Sequence, residues 1–362
     1  MNHPQSSPVG VVVLYNESQK VIIGEPHDLI ADNEVIDVAN SVAEALSDNY
    51  RVVKVPIHTD VEIAMAPYPP TEWVVFNLGE SVNGRLFECA RIAWALEAMG
   101  YCFTGASGDA LAHTTHKAFT KLYLDKARVP SPPGWMFRDP VEVIGEFLFP
   151  LIVKPVAEDG SAGIQHNAVV HDIKELKERV EFVTRVYRQA ALAEMFIIGR
   201  EFNVSMWNNP PETLPLCEID FSNYSDPLQR IVSFAAKWET GSFDYDHTPG
   251  ICPAQVNRDI QKKLNKTALD AWNALKCKDY TRVDIRLDES GIPYVVEINC
   301  NPDLAEIAGF FRSVKTAGYT FKEMVAKIVE FARVNFSNHY SFNQMQPFLS
   351  KSSWFITTDK RE

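Results

Sequence analysis

The chain has 362 residues, 46% hydrophobic and 23% charged, a globular composition with room for two or three domains around shared cores. Asp and Glu number 47 against 35 Lys and Arg, a formal net charge of -12. Such a surface repels phosphate backbones, so nucleic acid is not expected as a partner; a nucleotide would need local cations set into the acidic background. The six cysteines, Cys89, Cys102, Cys217, Cys252, Cys277 and Cys300, show no C-x-x-C spacing, which argues against a zinc cluster or a disulfide scaffold. The apolar run at residues 11–15 is too short for a signal-peptide core, and no stretch approaches the ~20 apolar residues of a membrane span. A cytoplasmic protein without a membrane partner is the expectation.

In chain order, residues 9–15 read as a buried strand. Residues 34–48 read as an amphipathic helix with Val35, Val38, Val42 and Leu46 on one face. Residues 50–55 and 73–78 read as strands, 86–99 as a helix stopped at Gly100, and 101–104 as a short strand. Strands alternating with helices predict a parallel α/β layer that ends near Gly108. Residues 114–128 read as a helix ended by Pro130, Pro132, Pro133 and Gly134. A smaller α+β unit follows: a strand at 151–154, a glycine loop at 158–163, a strand at 164–170, a helix from 172 to about 189 and a strand at 191–194. Residues 201–207 are extended again. A strand-rich part ends in a hairpin, 280–287 and 293–300, turned by Asp288-Glu289-Ser290-Gly291. Residues 320–335 read as a helix, and the tail from 336 is unassigned.

The hairpin carries the clearest chemistry. Arg282, Asp284 and Arg286 alternate with apolar residues on the first strand, as do Glu297, Asn299 and Asn301 on the second. Pairing symmetric about the turn puts Asp284 opposite Glu297, Arg282 opposite Asn299, Val283 opposite Ile298 and Ile285 opposite Val296, with apolar pairs on one face and polar pairs on the other. Facing carboxylates repel unless a cation lies between them. Asp284, Glu297 and Asn299 offer the hard oxygens Mg2+ prefers, enough for two ions ~4 Å apart beside the fixed charge of Arg282. A solvated outer face would alternate in the same way, but Asn299 and Asn301 are poor strand formers, and Asn301-Pro302 ends the strand beside the cluster.

Cations for a triphosphate come from elsewhere. Lys154 ends a buried strand just before Gly160, Ser161 and Gly163, where backbone N–H groups can approach phosphate oxygens; a plain turn would read the same. The lysine precedes the glycines, so this is not the P-loop pattern. Lys117 and Lys121 lie one helical turn apart, and Lys121 reads as part of a solvated face. Lys237 follows an apolar stretch that reads as a strand. Met195 to Ile197 could edge an adenine and Glu201 accept from a ribose, although ordinary core sequence looks alike.

Together these segments resemble the D-alanine–D-alanine ligase branch of the ATP-grasp family, from about Trp73 to about Ala332. The most specific pieces are Ile152-Val-Lys154-Pro155 with Gly160-Ser161-x-Gly163, Glu194 with Gly199-Arg200-Glu201, Arg282-Val-Asp284, and Glu297-Ile-Asn299. The resemblance implies an ATP-grasp fold of mixed α/β and α+β class. It would have an N-terminal Rossmann-like domain (residues 1–108), a small central lid domain (109–200), a C-terminal antiparallel-sheet domain (201–335) and an unassigned tail (336–362). It implies that Lys117 and Lys154 contact ATP phosphates and that Gly160 and Ser161 belong to a phosphate-covering loop. Glu194, Met195 and Ile197 would line the adenine site, Glu201 would bind ribose, and Lys237 would reach the terminal phosphate. Asp284, Glu297 and Asn299 would ligate Mg2+, with Mn2+ able to substitute. Arg282 would stabilise the oxyanion, and Glu34, in Ala31-Asp-Asn-Glu34-Val35, would hold the first substrate's ammonium group. The catalytic set would thus be Arg282, Lys237, Glu34 and Ser161, with Asn301 and Asp303 facing the substrate. The implied activity is ADP-forming ligation of a carboxylate to an amine through an acyl phosphate, on amino-acid or peptide substrates, in a homodimer.

Three departures from that family concern the substrate. Leu78-Gly79-Glu80 stands in place of a His-Gly element, Trp238 in place of a tyrosine, and Asp303 in place of a glycine. Asp303 could attract a cationic group on the acceptor, so a ligase for another amino acid, peptide or natural-product precursor is as well supported as a D-alanyl-D-alanine ligase. The alternatives are a catalytically silent nucleotide sensor, which would be expected to lack a metal ligand or Arg282, and another ATP-grasp enzyme such as a carboxylase or phosphotransferase.

Overall fold

A computed structural model describes residues 10–85, 88–208 and 210–349, with side chains as far as residue 337. Its first unit runs β1 (Gly10–Asn16), α1 (Asp28–Asn33), α2 (Val35–Leu46), β2 (Arg51–Ile57), α3 (Val61–Met65), β3 (Trp73–Asn77), α4 (Cys89–Ala98) and β4 (Cys102–Phe103). The strands are parallel in the order β2-β1-β3-β4. β1 and β3 are buried from end to end, which is why they read as continuous apolar runs instead of alternating ones. On α2, Val38, Val42 and Leu46 are buried and Val35 packs at the edge of the same core. Residues 9, 86 and 87, the first residues of two expected elements, lie outside the described residues.

The helix expected over 114–128 is two helices, α5 (Gly108–Thr115) and α6 (Lys117–Lys126). His116 between them is extended, with φ -85° and ψ 95°. The Lys117 amide leaves the helical ladder and donates to the Val156 carbonyl at 2.8 Å. The second sheet follows: β5 (Gly134–Phe137), β6 (Leu151–Pro155), β7 (Val169–Val170), α7 (Ile173–Val186) and β8 (Ala191–Met195), antiparallel in the order β5-β8-β6-β7. Asp172 caps α7 by accepting from the Glu175 amide. The strand expected over 164–170 shrinks to β7, because residues 166–168 form a 3-10 turn. Phe137, Leu151, Val153, Leu176, Val180 and Val183 build a core of this unit's own.

The third sheet contains β9 (Gly199–Trp207), β10 (Glu212–Thr213) and β11 (Cys217–Ile219). After α8 (Phe234–Trp238) and α9 (Phe243–Asp246) come β12 (Gly250–Ile251), α10 (Arg258–Leu275), β13 (Tyr280–Asp288) and β14 (Pro293–Asn299), and then α11 (Gly309–Thr316) and α12 (Phe321–Leu349). Its strands are antiparallel in the order β12-β11-β9-β13-β14, with β10 also on β9. Lys237 sits in helix α8 and not after a strand; Ser233 caps that helix through the Ala236 amide. α12 extends into the tail left unassigned, and residues 350–362 lie outside the described residues. First and third sheets share a core: Val12, Leu14 and Val75 belong to one cluster with Phe202, Val204, Val283 and Ile285.

Phe202 is fully buried in that shared core. Phe202→Ala should therefore cost about 3–5 kcal/mol, read as a lower urea midpoint; a loss under about 1 kcal/mol would contradict a common core for the two sheets.

Candidate active site

The hairpin register agrees with the alternation argument at the residues that matter. Arg282 pairs with Asn299, Val283 with Ile298 and Asp284 with Glu297. Beyond Asp284 a bulge shifts the ladder by one, so Ile285 faces Val295 and not Val296. The polar face is not solvated: it borders a cavity of about 600 Å³, and Asp284 and Arg286 are buried. The site residues singled out from the sequence line that cavity except Gly163 and Lys117, the latter reaching it through Glu297.

Arg282 and Asp284 are two apart on β13 and so share a face. The guanidinium grips both carboxylate oxygens, Nε to Oδ1 at 2.7 Å and Nη2 to Oδ2 at 2.8 Å. Asn203, the β9 residue paired with Asp284, donates to Oδ1 at 2.8 Å, and Asn299 donates to Oδ2 at 3.1 Å. Glu297 forms an ion pair with Lys117 at 3.0 Å. Burial would raise the Glu297 carboxyl, but Lys117, Lys237 and Lys154 hold it far below its ordinary value. Asp159 shows the opposite balance: burial and the Glu297 charge push it up to about 7 against the pull of Lys117.

Lys154 pairs with Glu194 at 2.5 Å. Lys121, expected on a solvated face, is instead turned inward onto the other oxygen of Glu194 and onto the Pro132 carbonyl. Against the cost of its own burial, the two lysines keep Glu194 below the usual carboxylate range. Glu201 lies 3.7 Å from Arg286. The Arg286 guanidinium lies 4.8 Å from the ring centroid of Phe196, which lines the cavity between Met195 and Ile197. Lys237 has no hydrogen-bond or ion-pair partner among the described residues.

The glycine loop is fastened across the cavity. Gly160, Ser161 and Gly163 all have φ near +60° to +70°, the left-handed region. A side chain at Gly163 would press to 2.8 Å from the Tyr187 ring. Ser161 Oγ donates to the Val232 carbonyl at 2.8 Å, and the Trp238 indole donates to the Gly160 carbonyl at 2.8 Å. Asn301 uses its amide oxygen to accept from the Ala106 amide at 3.0 Å, which makes it a joint to the chain after β4.

Among the described residues no group of three His, Cys, Asp or Glu side chains is arranged to hold a metal alone. The donor set nonetheless fits Mg2+: Asp284 and Glu297 face each other, Asn299 adds an amide oxygen, and this ion commonly completes its shell with water and substrate phosphates. The raised Asp159 carboxyl beside Glu297 marks a place where a cation would relieve repulsion. Sequence reasoning missed Asn203, Asp159 and Arg286 as members of the site. Asn203 left a trace, a polar residue that alternates with Glu201 and Ser205 against apolar Phe202 and Val204.

A family model for the C-terminus of D-ala D-ala ligases matches residues 135–330. The D-alanine–D-alanine ligase of Methylacidiphilum infernorum is 32% identical, over 71% of this chain and 79% of its own. The uncharacterized protein y4sG of Sinorhizobium fredii is 32% identical over 76% of this chain and 79% of its own. The Bacillus anthracis D-alanine–D-alanine ligase, solved in complex with ATP, superposes with a TM-score of 0.70 at 18% identity, covering 92% of this chain and 100% of that one; at that identity the likeness speaks for the fold. The chain belongs to the D-alanine–D-alanine ligase family, ATP-dependent carbon–nitrogen ligases of ATP-grasp fold. No described helix is long and apolar enough to cross a membrane.

Glu80 gives a pH test of the cavity's charge. Burial and the carboxylates of Asp159, Asp303, Asp32 and Glu34 push it up to about 8. A carboxyl raised in the folded state stabilises the fold below its unfolded value, and that contribution is lost as pH rises towards about 8. Glu80→Gln should therefore raise Tm more at pH 9 than at pH 5; the reverse order would contradict a half-buried Glu80 repelled by its neighbouring carboxylates.

Proposed function

We propose that the chain activates a small carboxylic acid with ATP and joins it to an amine, releasing ADP and phosphate. The convergence of Asp284, Glu297, Asn299 and Arg282 with Lys117, Lys154 and Lys237 around one cavity carries this reading. Lys154 and Lys117 would hold phosphate oxygens, the pinned Gly160–Ser161 backbone would cover them, and unpartnered Lys237 would meet the terminal phosphate. Met195, Phe196 and Ile197 would clasp the adenine, Glu194 would hold its edge and Glu201 the ribose. Two Mg2+ ions on Asp284, Glu297 and Asn299, when bound, would neutralise charge on the transferring phosphoryl group.

The chemistry balances as two steps. A carboxylate oxygen of the acid displaces ADP from the γ-phosphorus, giving an acyl phosphate in place of a poor electrophile. The neutral amine of the second substrate then attacks the acyl carbon, the tetrahedral adduct expels phosphate, and the amine loses its proton. Arg282, held rigid by Asp284, offers N–H groups to the oxygen that gains charge. Glu34 would hold the ammonium group of the acid substrate. The acyl phosphate must be kept from water, and the unit around β5–β8, with its own core, is suited to move as the lid.

This reading divides the chain at residues 108, 200 and 335 into N-terminal, lid, C-terminal and tail segments, and it places the enzyme in the cytoplasm as a homodimer. The intact set of Arg282 and the three oxygen ligands favours turnover over a silent sensor. D-Alanine is one substrate to consider; Glu80, Trp238 and Asp303 argue for a distinct acceptor.

Glu297→Gln should lower acid- and amine-dependent ADP formation by more than about 100-fold, beyond the effect typical of losing a supporting partner, with the circular dichroism spectrum retained. Near-normal activity at ordinary Mg2+ would sink the metal assignment.

A further inference from the structure

Lys237 sits on α8, a helix of five residues. So short a helix gains little from its own ladder, and its direction depends on what holds its ends. At its start two amides are anchored. The Phe234 amide donates to the Ile164 carbonyl at 2.8 Å. The Ala236 amide donates to Ser233 Oγ at 3.1 Å, the helix cap. Lys237 directly follows Ala236, so a tilt of α8 about that cap moves its ammonium group within the cavity.

Behind the cap lies a carboxylate that the ligation chemistry does not use. Asp244, on α9, is 8% exposed and gathers side chains from three separate segments. Ser233, at the start of α8, donates its hydroxyl to Oδ2. Tyr224, in the loop after β11, donates to Oδ1 at 2.6 Å. His166, in the turn past the glycine loop, places Nε2 2.9 Å from Oδ2. Burial would raise this carboxyl, but Ser233, Tyr224 and His166 hold it below its ordinary value. The ionised group only accepts, so His166 carries a proton on Nε2. The Thr248 hydroxyl donates to the Asp244 carbonyl at 2.7 Å, which ties the same residue to the chain leading into β12.

The Ser233 hydroxyl has one proton. Given to Asp244, that proton leaves the oxygen's lone pairs for the Ala236 amide, so the carboxylate fixes the rotamer in which Ser233 caps α8. Through His166 the same carboxylate fastens α8 to the chain just past Gly163, where Ile164 already receives the Phe234 amide. We propose that Asp244 is a positioning residue for Lys237: it holds α8 so that the ammonium group meets the terminal phosphate, and it ties that placement to the phosphate-covering loop. This rests on the ligase reading above, in which Lys237 contacts that phosphate, and it names the group that aims the lysine.

The test is an equilibrium one on the full chain with Mg2+. Calorimetry compares Kd for ADP with Kd for adenylyl imidodiphosphate, whose terminal phosphoryl group is not transferred. Lys237→Ala sets the reference: it should weaken the imido analogue and leave ADP unchanged. Asp244→Ala and Ser233→Ala should each lower the preference for the analogue over ADP by at least about fivefold, one lost helix cap expressed as a binding ratio. The ADP Kd and the circular dichroism spectrum should be retained. Asp244→Ala added to Lys237→Ala should lower the preference no further, since no ammonium group remains to be aimed. ADP and analogue weakened alike would make the role of Asp244 purely structural and overturn the proposal. An unchanged preference, or effects that add in the double variant, would overturn it too. If Asp244→Ala does not fold, Ser233→Ala, which removes a single oxygen, decides alone. If Lys237→Ala leaves the preference intact, the lysine's part in the ligase reading falls and the proposal with it. Acid- and amine-dependent ADP release by the native chain judges the rest of that reading separately.

Discussion

Antiparallel pairing of β13 with β14 sets Asp284 against Glu297 at the wall of the cavity, and much of the site answers that placement. Two carboxylates so close in a low-dielectric setting are costly unless cations accompany them. The chain provides these from three directions: Arg282 from the same strand, Lys117 from α6 and Lys237 from α8. The break between α5 and α6 matters here. By leaving the helical ladder at His116, the chain starts α6 with Lys117 at the carboxylate.

The balance is local. At the Glu194 end two lysines face one carboxylate, an excess of positive charge suited to a polyanion. Around Glu80 burial raises the pKa, and so do the charged neighbours, which are carboxylates. Charge is thus unevenly spread along one cavity, and the loop around Gly160 and Ser161, tied to Val232 and Trp238, forms part of its lining. The bonds that hold the loop down link two packed bodies, since the unit around β5–β8 has its own core.

Much of this was legible in the sequence, for identifiable reasons. The hairpin could be read because both strands alternate, and alternation fixes which residues share a face. The bulge beyond Asp284 could not, because it depends on how the turn closes through Asp288, Gly291 and Ile292. The parallel layer was visible in its apolar runs, while the interruption at His116 had no glycine or proline to announce it. Lys121 looked solvated because one helical turn of sequence cannot show that Glu194 of another element lies above it. Asp159 and Glu80 stood in view as residues of a loop and of a family departure, but burial gives them their character, and burial is a property of the assembled fold. Asn301 shows the converse, a polar residue beside the cluster whose oxygen ties down the backbone at Ala106.

The central claim is that the polar face of this hairpin binds divalent cations together with nucleotide phosphates. Mn2+ in place of Mg2+, followed by electron paramagnetic resonance during titration with ADP, tests it without requiring turnover. The account predicts Mn2+ binding that tightens with ADP in the native chain and is weakened in Asp284→Asn and Asn299→Ala. Mn2+ that binds equally well to all three proteins, or is indifferent to ADP, would contradict it.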